Sequence, residues 1–307
     1  MRLGPRNSSR GRVVPNAVDG LRRAERAVTS APGRLIVCAT PIGNLGDMTL
    51  RGLEALRTAD TVAAEDTRVT RKLFARYDIS TPLERCDEHT VQRQAPLLVA
   101  RMLGGEVIAF VSDAGTPGVS DPGARLIAAA LAADVPVETL PGASAVLAAL
   151  VSSGLPMHRF YFGGFLPRKA GERVRELASL ASLDATLVFY ESPRRAAASL
   201  VALAQAYPGR QAALARELTK LHEEVVRGTT ESVAEQIAGR ESLKGEVVLL
   251  VGPPVAPVGP PPLDAEVARE RVEALVAQGT SRSAAVKAVA KELGVARSLV
   301  YDIAHRA

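Results

Sequence analysis

The sequence predicts two consecutive α/β domains with a ligand crevice between them, followed by a C-terminal trihelical, helix-turn-helix-like module. Three observations lead there. The chain has 307 residues, 47% of them hydrophobic and 23% charged, and at ~150 residues per domain that length suggests about two domains. From Arg34 onward, short apolar runs ending in Gly, Pro or Asp alternate with helical stretches, the signature of a parallel α/β sheet. A proline-rich stretch, Gly252 to Pro262, then separates a tail whose apolar residues recur at helical spacing. The expected divisions are a mobile basic leader over 1–33, α/β domains over 34–154 and 155–252, a linker over 253–262 and the trihelical module over 263–307.

The leader carries Arg, Gly, Pro and Ser without apolar periodicity, which reads as mobile chain. A second reading starts translation further in, for example at Val28. Arg34 to Thr40 is the first strand, followed by the loop Pro41 to Asp47 and a helix from Thr49 to Ala59. Thr61 to Ala64 is a buried strand, and Glu65-Asp66-Thr67 opens the next helix as its N-terminal cap. Glu106 to Val111 is a third strand running into a long loop, Ser112 to Gly123, before a helix that ends at Ala133. Pro136 to Leu140 is a strand, and Pro141-Gly142-Ala143-Ser144 opens a helix ending at Gly154. In the second domain, Phe160 to Pro167 starts the first element, a helix covers 170–182 and a strand Ala185 to Tyr190. A helix over 193–206 precedes the strand pair Gln211 to Leu218 and His222 to Arg227, which brings an antiparallel element into the sheet. A helix over 230–239 and the strand Glu246 to Val251 close the domain. The tail reads as helices over Glu266–Gln278, Ser281–Leu293 and Ala296–His305, with Gly294 at a helix C-terminus that needs a left-handed residue.

Composition narrows the function classes. Cys38 and Cys86 are the only cysteines and the four histidines have no ligand spacing, so neither a disulfide framework nor a metal site is expected. No run approaches the ~18 apolar residues of a membrane helix, and the leader lacks the apolar stretch of a secretory signal. The protein is expected to be soluble and cytoplasmic. Its net charge of +5 is concentrated in residues 1–34, which hold 8 Arg against 2 acids; residues 35–262 hold 23 basic and 25 acidic residues, and residues 263–307 hold 7 and 6. The basic balance is therefore weak support for nucleic-acid binding by the folded body. In the tail, Arg297, Ser298 and Tyr301 suit nucleic-acid contact, and a packing or dimer appendage suits the same helices.

Gly-rich loops follow strands at Pro41, Ser112 and Pro141. In an open parallel sheet such loops line the crevice at the carboxyl edge, where glycine lets a ligand approach the backbone and helix N-termini donate N–H groups. No Gly-x-Gly-x-x-Gly follows a strand, and Thr219-Lys220 lacks the preceding glycines of a P-loop, which argues against hydride transfer and ATP hydrolysis.

The residues themselves resemble a known family. Cys38 to Asp47 (CATPIGNLGD), Ala64 to Arg68 (AEDTR), Ser112 to Gly118 (SDAGTPG), Pro141 to Ala145 (PGASA), Tyr190 to Arg195 (YESPRR), Arg216 to Glu224 (RELTKLHEE) and Lys244-Gly245-Glu246 together look like the ribosomal RNA small-subunit methyltransferase I family, within the tetrapyrrole-methylase-like superfamily. The match covers about residues 35–252, the tail resembles that family's C-terminal module, and the leader lies outside it. The resemblance implies a class III S-adenosylmethionine methyltransferase fold, with the cofactor in the interdomain cleft, usually as a homodimer. It implies methylation of the ribose 2′-oxygen of cytidine 1402, in the usual RNA numbering, in the decoding region of 16S rRNA. Scattered short elements and a pocket shared between domains favour the assembled 30S subunit as substrate, because positioning one ribose needs a large surface. Carried over by motif, Pro41, Ile42, Gly43 and Asn44, then Asp113, Ala114, Gly115 and Pro117, then Gly142, Ala143 and Ser144 match the cofactor loops. Leu218 and Gly245 would line the cofactor's other side.

A ribose hydroxyl is a poor nucleophile, so transfer from a sulfonium needs positioning and proton removal. Glu65, Asp66 and Lys220 are the candidate catalytic groups, with Asp113 a further candidate base. Each also has a structural reading: Asp66 as a helix cap, Glu65 as its partner, Asp113 bonded to the loop or cofactor, and Lys220 as a surface charge or a phosphate contact. Arg68, Arg71, Arg194 and Arg195 are candidate RNA contacts, because guanidinium forks match phosphate oxygens. Two other functions compete: methylation of a small tetrapyrrole-like substrate, and a regulator that binds nucleic acid through the tail.

Overall fold

The computed structural model describes residues 33–121, 123–240, 243–254, 265–293, 295 and 297–305. The leader through Pro32, most of the proline-rich stretch and Gly294 lie outside the described residues. The chain divides into two compact units, one up to Pro253 and one from Pro254 onward. Among the described residues no helix is long and apolar enough to cross a membrane.

The first unit begins with a fully parallel sheet of β1 (Arg34–Cys38), β2 (Thr61–Ala64), β3 (Leu83–Arg85), β4 (Val107–Val111) and β5 (Val137–Leu140), ordered β3-β2-β4-β1-β5. Alternation along the strands sends side chains to two cores. Ile36, Val62, Ala64 and Ala109 face α1 (Leu50–Thr58) and α2 (Thr67–Tyr77) through Leu53, Leu56, Leu73 and Phe74. Leu35, Val37, Ile108 and Phe110 face α3 (Val91–Leu103) and α4 (Gly123–Ala132) through Leu98, Met102 and Leu126. Connections leaving the adjacent strands β1 and β4 run in opposite directions across the sheet, the arrangement that opens a crevice at the carboxyl edge.

Helix α5 (Ala145–Ser153) leaves this sheet and covers the next one. Its Val146, Ala149 and Leu150 pack on Val188, Ala213, Ala215, Val248 and Leu250. Those residues belong to β7 (Thr186–Glu191), β8 (Gln211–Arg216) and β10 (Val247–Val251), which with β6 (Phe160–Phe165) and β9 (Glu224–Thr229) form a sheet ordered β6-β7-β10-β8-β9. Only β6 and β7 run parallel; the other neighbours are antiparallel. The opposite face carries α6 (Ala170–Ser179), α7 (Pro193–Ala206) and α8 (Thr230–Ala238) over a core of Leu177, Leu187, Phe189, Leu200 and Leu249. The second unit comprises α9 (Ala265–Ala277), α10 (Arg282–Glu292) and α11 (Arg297–His305), joined through Val272, Ala285, Val286, Val289 and Val300.

Several boundaries depart from the sequence reading. It identifies neither β3 nor α3. β1 ends at Cys38, because Thr40 turns away to exchange backbone hydrogen bonds with Gly115. β8 ends at Arg216 and β9 starts at Glu224, because Glu217 and Thr219 adopt φ of 52° and 65°, a left-handed conformation that stops an extended strand.

Candidate active site

The loops at the carboxyl edge of the first sheet face the end of the second across a cavity of about 790 Å³. The two-way Thr40–Gly115 backbone pair, at 2.9 and 3.0 Å, ties the loop after β1 to the loop after β4. Gly115 has φ +79°, which a side chain would strain. Gly142 lies so close to Ala39 that an added Cβ would sit 2.8 Å from the Ala39 Cβ. The floor is largely apolar, with Ile42, Ala145, Ala215 and Leu218. The Ser112 hydroxyl, buried in the same wall, has no hydrogen-bond partner among the described residues.

Of the residues matched to cofactor loops, Ile42, Asp113, Ala114, Gly115, Gly142, Ser144, Leu218 and Gly245 line this cavity. Pro41, Gly43, Asn44, Pro117 and Ala143 do not. Pro41 and Pro117 are buried behind it, and Ala143 packs toward the α5 core. Gly43 and Asn44 instead join the turn between β8 and β9: the Asn44 N–H donates to Thr219 Oγ1 at 3.1 Å, and Gly43 sits under the aliphatic stem of Lys220.

The candidate acids and bases separate by environment. Glu65 lines the cavity, and its Oε2 accepts from the Asp113 N–H at 3.2 Å. Burial raises its pKa above the ordinary value; the Asp113 N–H works against that, and the charges of Asp113, Asp121 and Asp87 add to it. Asp113 is also raised, chiefly by burial, while its Oδ1 accepts from the Asp66 N–H at 3.0 Å. Asp66 caps α2, accepting from the Arg68 N–H at 2.8 Å and pairing with its guanidinium. The hydrogen bond from that guanidinium holds the Asp66 carboxyl well below the usual range. Lys220 lies between Glu217 at 2.7 Å and Glu246 at 2.9 Å. Burial would lower its pKa, but these two hydrogen bonds outweigh it and the ammonium titrates above its ordinary value. Neither Asp66 nor Lys220 lines the cavity.

The arginines also divide. Arg68, Arg71 and Arg194 are exposed. Arg195 is held by the buried Glu191, 2.7 Å from Nε, and by the Leu166 carbonyl at 3.0 Å. Glu191 further accepts from Ser199 Oγ at 2.6 Å and the Ser192 N–H at 2.7 Å. Glu191, Ser192, Thr116, Tyr190 and Phe165 line the cavity without having been singled out for it by the sequence. Tyr190, Glu191 and Ser192 lie within a matched motif, which was a usable signal; Phe165 had none, because a strand bulge places it.

The family model for tetrapyrrole (corrin/porphyrin) methylases matches residues 34–234. Proteins named ribosomal RNA small subunit methyltransferase I match at 50% identity in Mesorhizobium japonicum, over 74% of this chain and 78% of that protein. The protein of that name in Synechocystis matches at 42%, over 88% of this chain and 97% of that one. The chain belongs to the ribosomal RNA small subunit methyltransferase I family. Members of this family are S-adenosylmethionine-dependent methyltransferases, and so is this protein. The fold recurs in the methyltransferase CobJ (TM-score 0.56, 23% identity, 74% of this chain and 97% of that one). It recurs also in a Thermus thermophilus uroporphyrin-III C-methyltransferase solved with S-adenosylhomocysteine (TM-score 0.51, 22%, 71% and 97%).

Proposed function

We propose that the protein transfers a methyl group from S-adenosylmethionine to the ribose 2′-oxygen of cytidine 1402 in the decoding region of 16S rRNA. It acts in the cytoplasm, as a homodimer, on the assembled 30S subunit. The observation that carries this reading is the 50% identity to a protein named for small-subunit rRNA methylation, over a body whose matched loops converge on one cleft. Tetrapyrrole methylation has weaker support, because CobJ and the uroporphyrin-III C-methyltransferase are 23% and 22% identical to this chain and share the fold alone.

The cleft suits the cofactor chemically. Ile42, Leu218 and Ala145 would flank an adenosyl group, Gly115 and Gly142 leave the backbone open to close approach, and the unpartnered Ser112 hydroxyl would meet a polar atom of the ligand. When bound, S-adenosylmethionine supplies a methyl group made electrophilic by its sulfonium. The protein's part is to orient the ribose and accept its proton. Glu65 is the base assigned here: it faces the cavity, whereas Asp66 and Lys220 are occupied by Arg68 and by Glu217 and Glu246. Arg71 and Arg194 are exposed and available to phosphates; Arg68 is exposed but its guanidinium is paired with Asp66, and Arg195 serves Glu191.

The test is transfer of labelled methyl from S-adenosylmethionine to 30S subunits lacking the modification, with naked 16S rRNA alongside and the labelled nucleotide mapped. Label on the one 2′-oxygen of the 30S substrate is the expected result. Cofactor binding with no label on either RNA would refute the reading and favour a small-molecule methylase.

A further inference from the structure

The register of β6 against β7 shifts between Phe162 and Phe165: Phe162 pairs with Val188 and Phe165 with Tyr190, so three steps on one strand meet two on the other. Such a bulge redirects the side chains beyond it to the opposite face of the strand. Before the bulge, Tyr161 packs toward the core beneath α6 to α8 and Phe162 toward the α5 core. Strict alternation would return Phe165 to the Tyr161 side. The bulge puts it on the Phe162 side instead, where both rings meet Tyr190 edge-on, at 4.8 Å for Phe162 and 5.6 Å for Phe165.

Two glycines make this possible. A Cβ on Gly163 would lie 2.5 Å from the Phe189 ring, so no side chain fits there. Gly164 has φ +64°, a conformation glycine adopts without strain. The result is a row of three rings from core to cavity, in which Phe165 is 56% exposed and lines the cavity wall. Beyond Phe165, the exposed Arg168 carries no ion pair among the described residues, and the same holds for Arg194 next to the cavity-lining Pro193.

We infer that Phe165 is the stacking platform for the target nucleobase, aimed into the cleft by the Gly163–Gly164 bulge and flanked by Arg168 and Arg194 as phosphate contacts. This rests on the rRNA reading above. A single-stranded base presents a flat π face to an aromatic side chain, and such stacking is available to every base. A methyltransferase acting on one ribose must hold the attached base still, and Phe165 is the exposed phenyl ring on the wall of this cleft.

The chain has no tryptophan, so Phe165→Trp creates a single fluorescent reporter at the proposed contact. A decoding-region RNA oligonucleotide should quench its emission, whereas S-adenosylmethionine alone should leave it unchanged. Phe165→Ala should lower kcat/KM for unmodified 30S subunits about 10- to 100-fold, leave S-adenosylmethionine affinity within twofold, and lower the melting temperature by at most a few degrees through loss of the Tyr190 contact. Phe165→Tyr should restore near-wild-type kcat/KM. Undiminished kcat/KM in Phe165→Ala, or quenching and loss of affinity confined to S-adenosylmethionine, would overturn the assignment. Wild-type protein unable to methylate 30S subunits would instead refute the rRNA reading, and the stacking role with it.

Discussion

Glu65 and Asp66 are neighbours whose carboxylates meet opposite surroundings. The Asp66 carboxylate accepts the Arg68 N–H in the first turn of α2 and pairs with the Arg68 guanidinium, which keeps it ionised and engaged. Glu65 lines the cavity with one backbone donor, and burial lifts its pKa above the ordinary carboxylate value. A base near a reacting hydroxyl gains from that shift, since proton transfer is most effective when the catalytic pKa approaches the working pH. The assignment predicts that Glu65→Gln lowers methyl transfer by about 10²- to 10⁴-fold, with S-adenosylmethionine affinity measured by calorimetry within a few-fold of wild type. The Gln carbonyl can still accept from the Asp113 N–H, so the loop should hold. The sign of the pH dependence follows: only the carboxylate accepts a proton, so single-turnover rates should fall as pH drops through the Glu65 pKa, and that acid limb should vanish in Glu65→Gln. Asp66→Asn should retain both the limb and most of the rate. Loss of cofactor affinity in Glu65→Gln at unchanged turnover would make Glu65 a ligand for the cofactor instead of a base.

Elements hold the site through a few buried or strained contacts. Glu191, at the end of β7, has a fully buried side chain and binds Arg195 and Ser199 on α7, so it fixes the turn that forms one cleft wall. Removing one partner of a buried pair leaves the other uncompensated, and Glu191→Ala should destabilise the protein by about 3–5 kcal/mol, read by denaturant unfolding. Gly245 has φ +90°, and an added Cβ would fall 2.1 Å from Glu217 Oε1. Gly245→Ala should therefore cost about 1–3 kcal/mol in backbone strain and displace the Glu217 carboxylate that holds Lys220. A melting temperature equal to wild type would refute that account. The same scale shows what the sequence makes legible. β4 and β10 are short, wholly buried apolar runs, and β1 beyond Arg34 and β2 beyond Thr61 are the same; such runs, bounded by turns, announce themselves. β3 is three residues, Leu-Glu-Arg, at a sheet edge, where charge discourages edge pairing and erases the apolar signal. The loops around Asp113 and Gly142 are legible through their glycines and family motifs. The aim of Phe165 is not, since a one-residue bulge reverses the facing of a strand without changing its composition.

At the scale of the whole molecule, the body and the tail are separate compact units with separate cores. Among the described residues, every one that lines the cleft lies at or before Val248, so the proposed cofactor site is built from the body. Deleting residues 254–307 should leave S-adenosylmethionine affinity within about twofold, because the described lining of the proposed site lies in the body and affinity follows contacts made in the site. A regulator that reached nucleic acid through the tail would lose its activity with this deletion, whereas an enzyme keeps its cofactor. The tail does present an aromatic pair to solvent: Tyr301 is 50% exposed and stacks on His305 at 3.9 Å between ring centres. Its charge balance of 7 basic to 6 acidic residues supplies little phosphate attraction, since nucleic-acid affinity scales with the number of phosphates neutralised. The salt dependence of 30S methylation should accordingly have nearly the same slope with and without the tail, and should flatten when Arg71 and Arg194 are replaced by Gln. A slope that collapses on deletion of the tail would move the main phosphate contacts from the arginines of the body to the three helices.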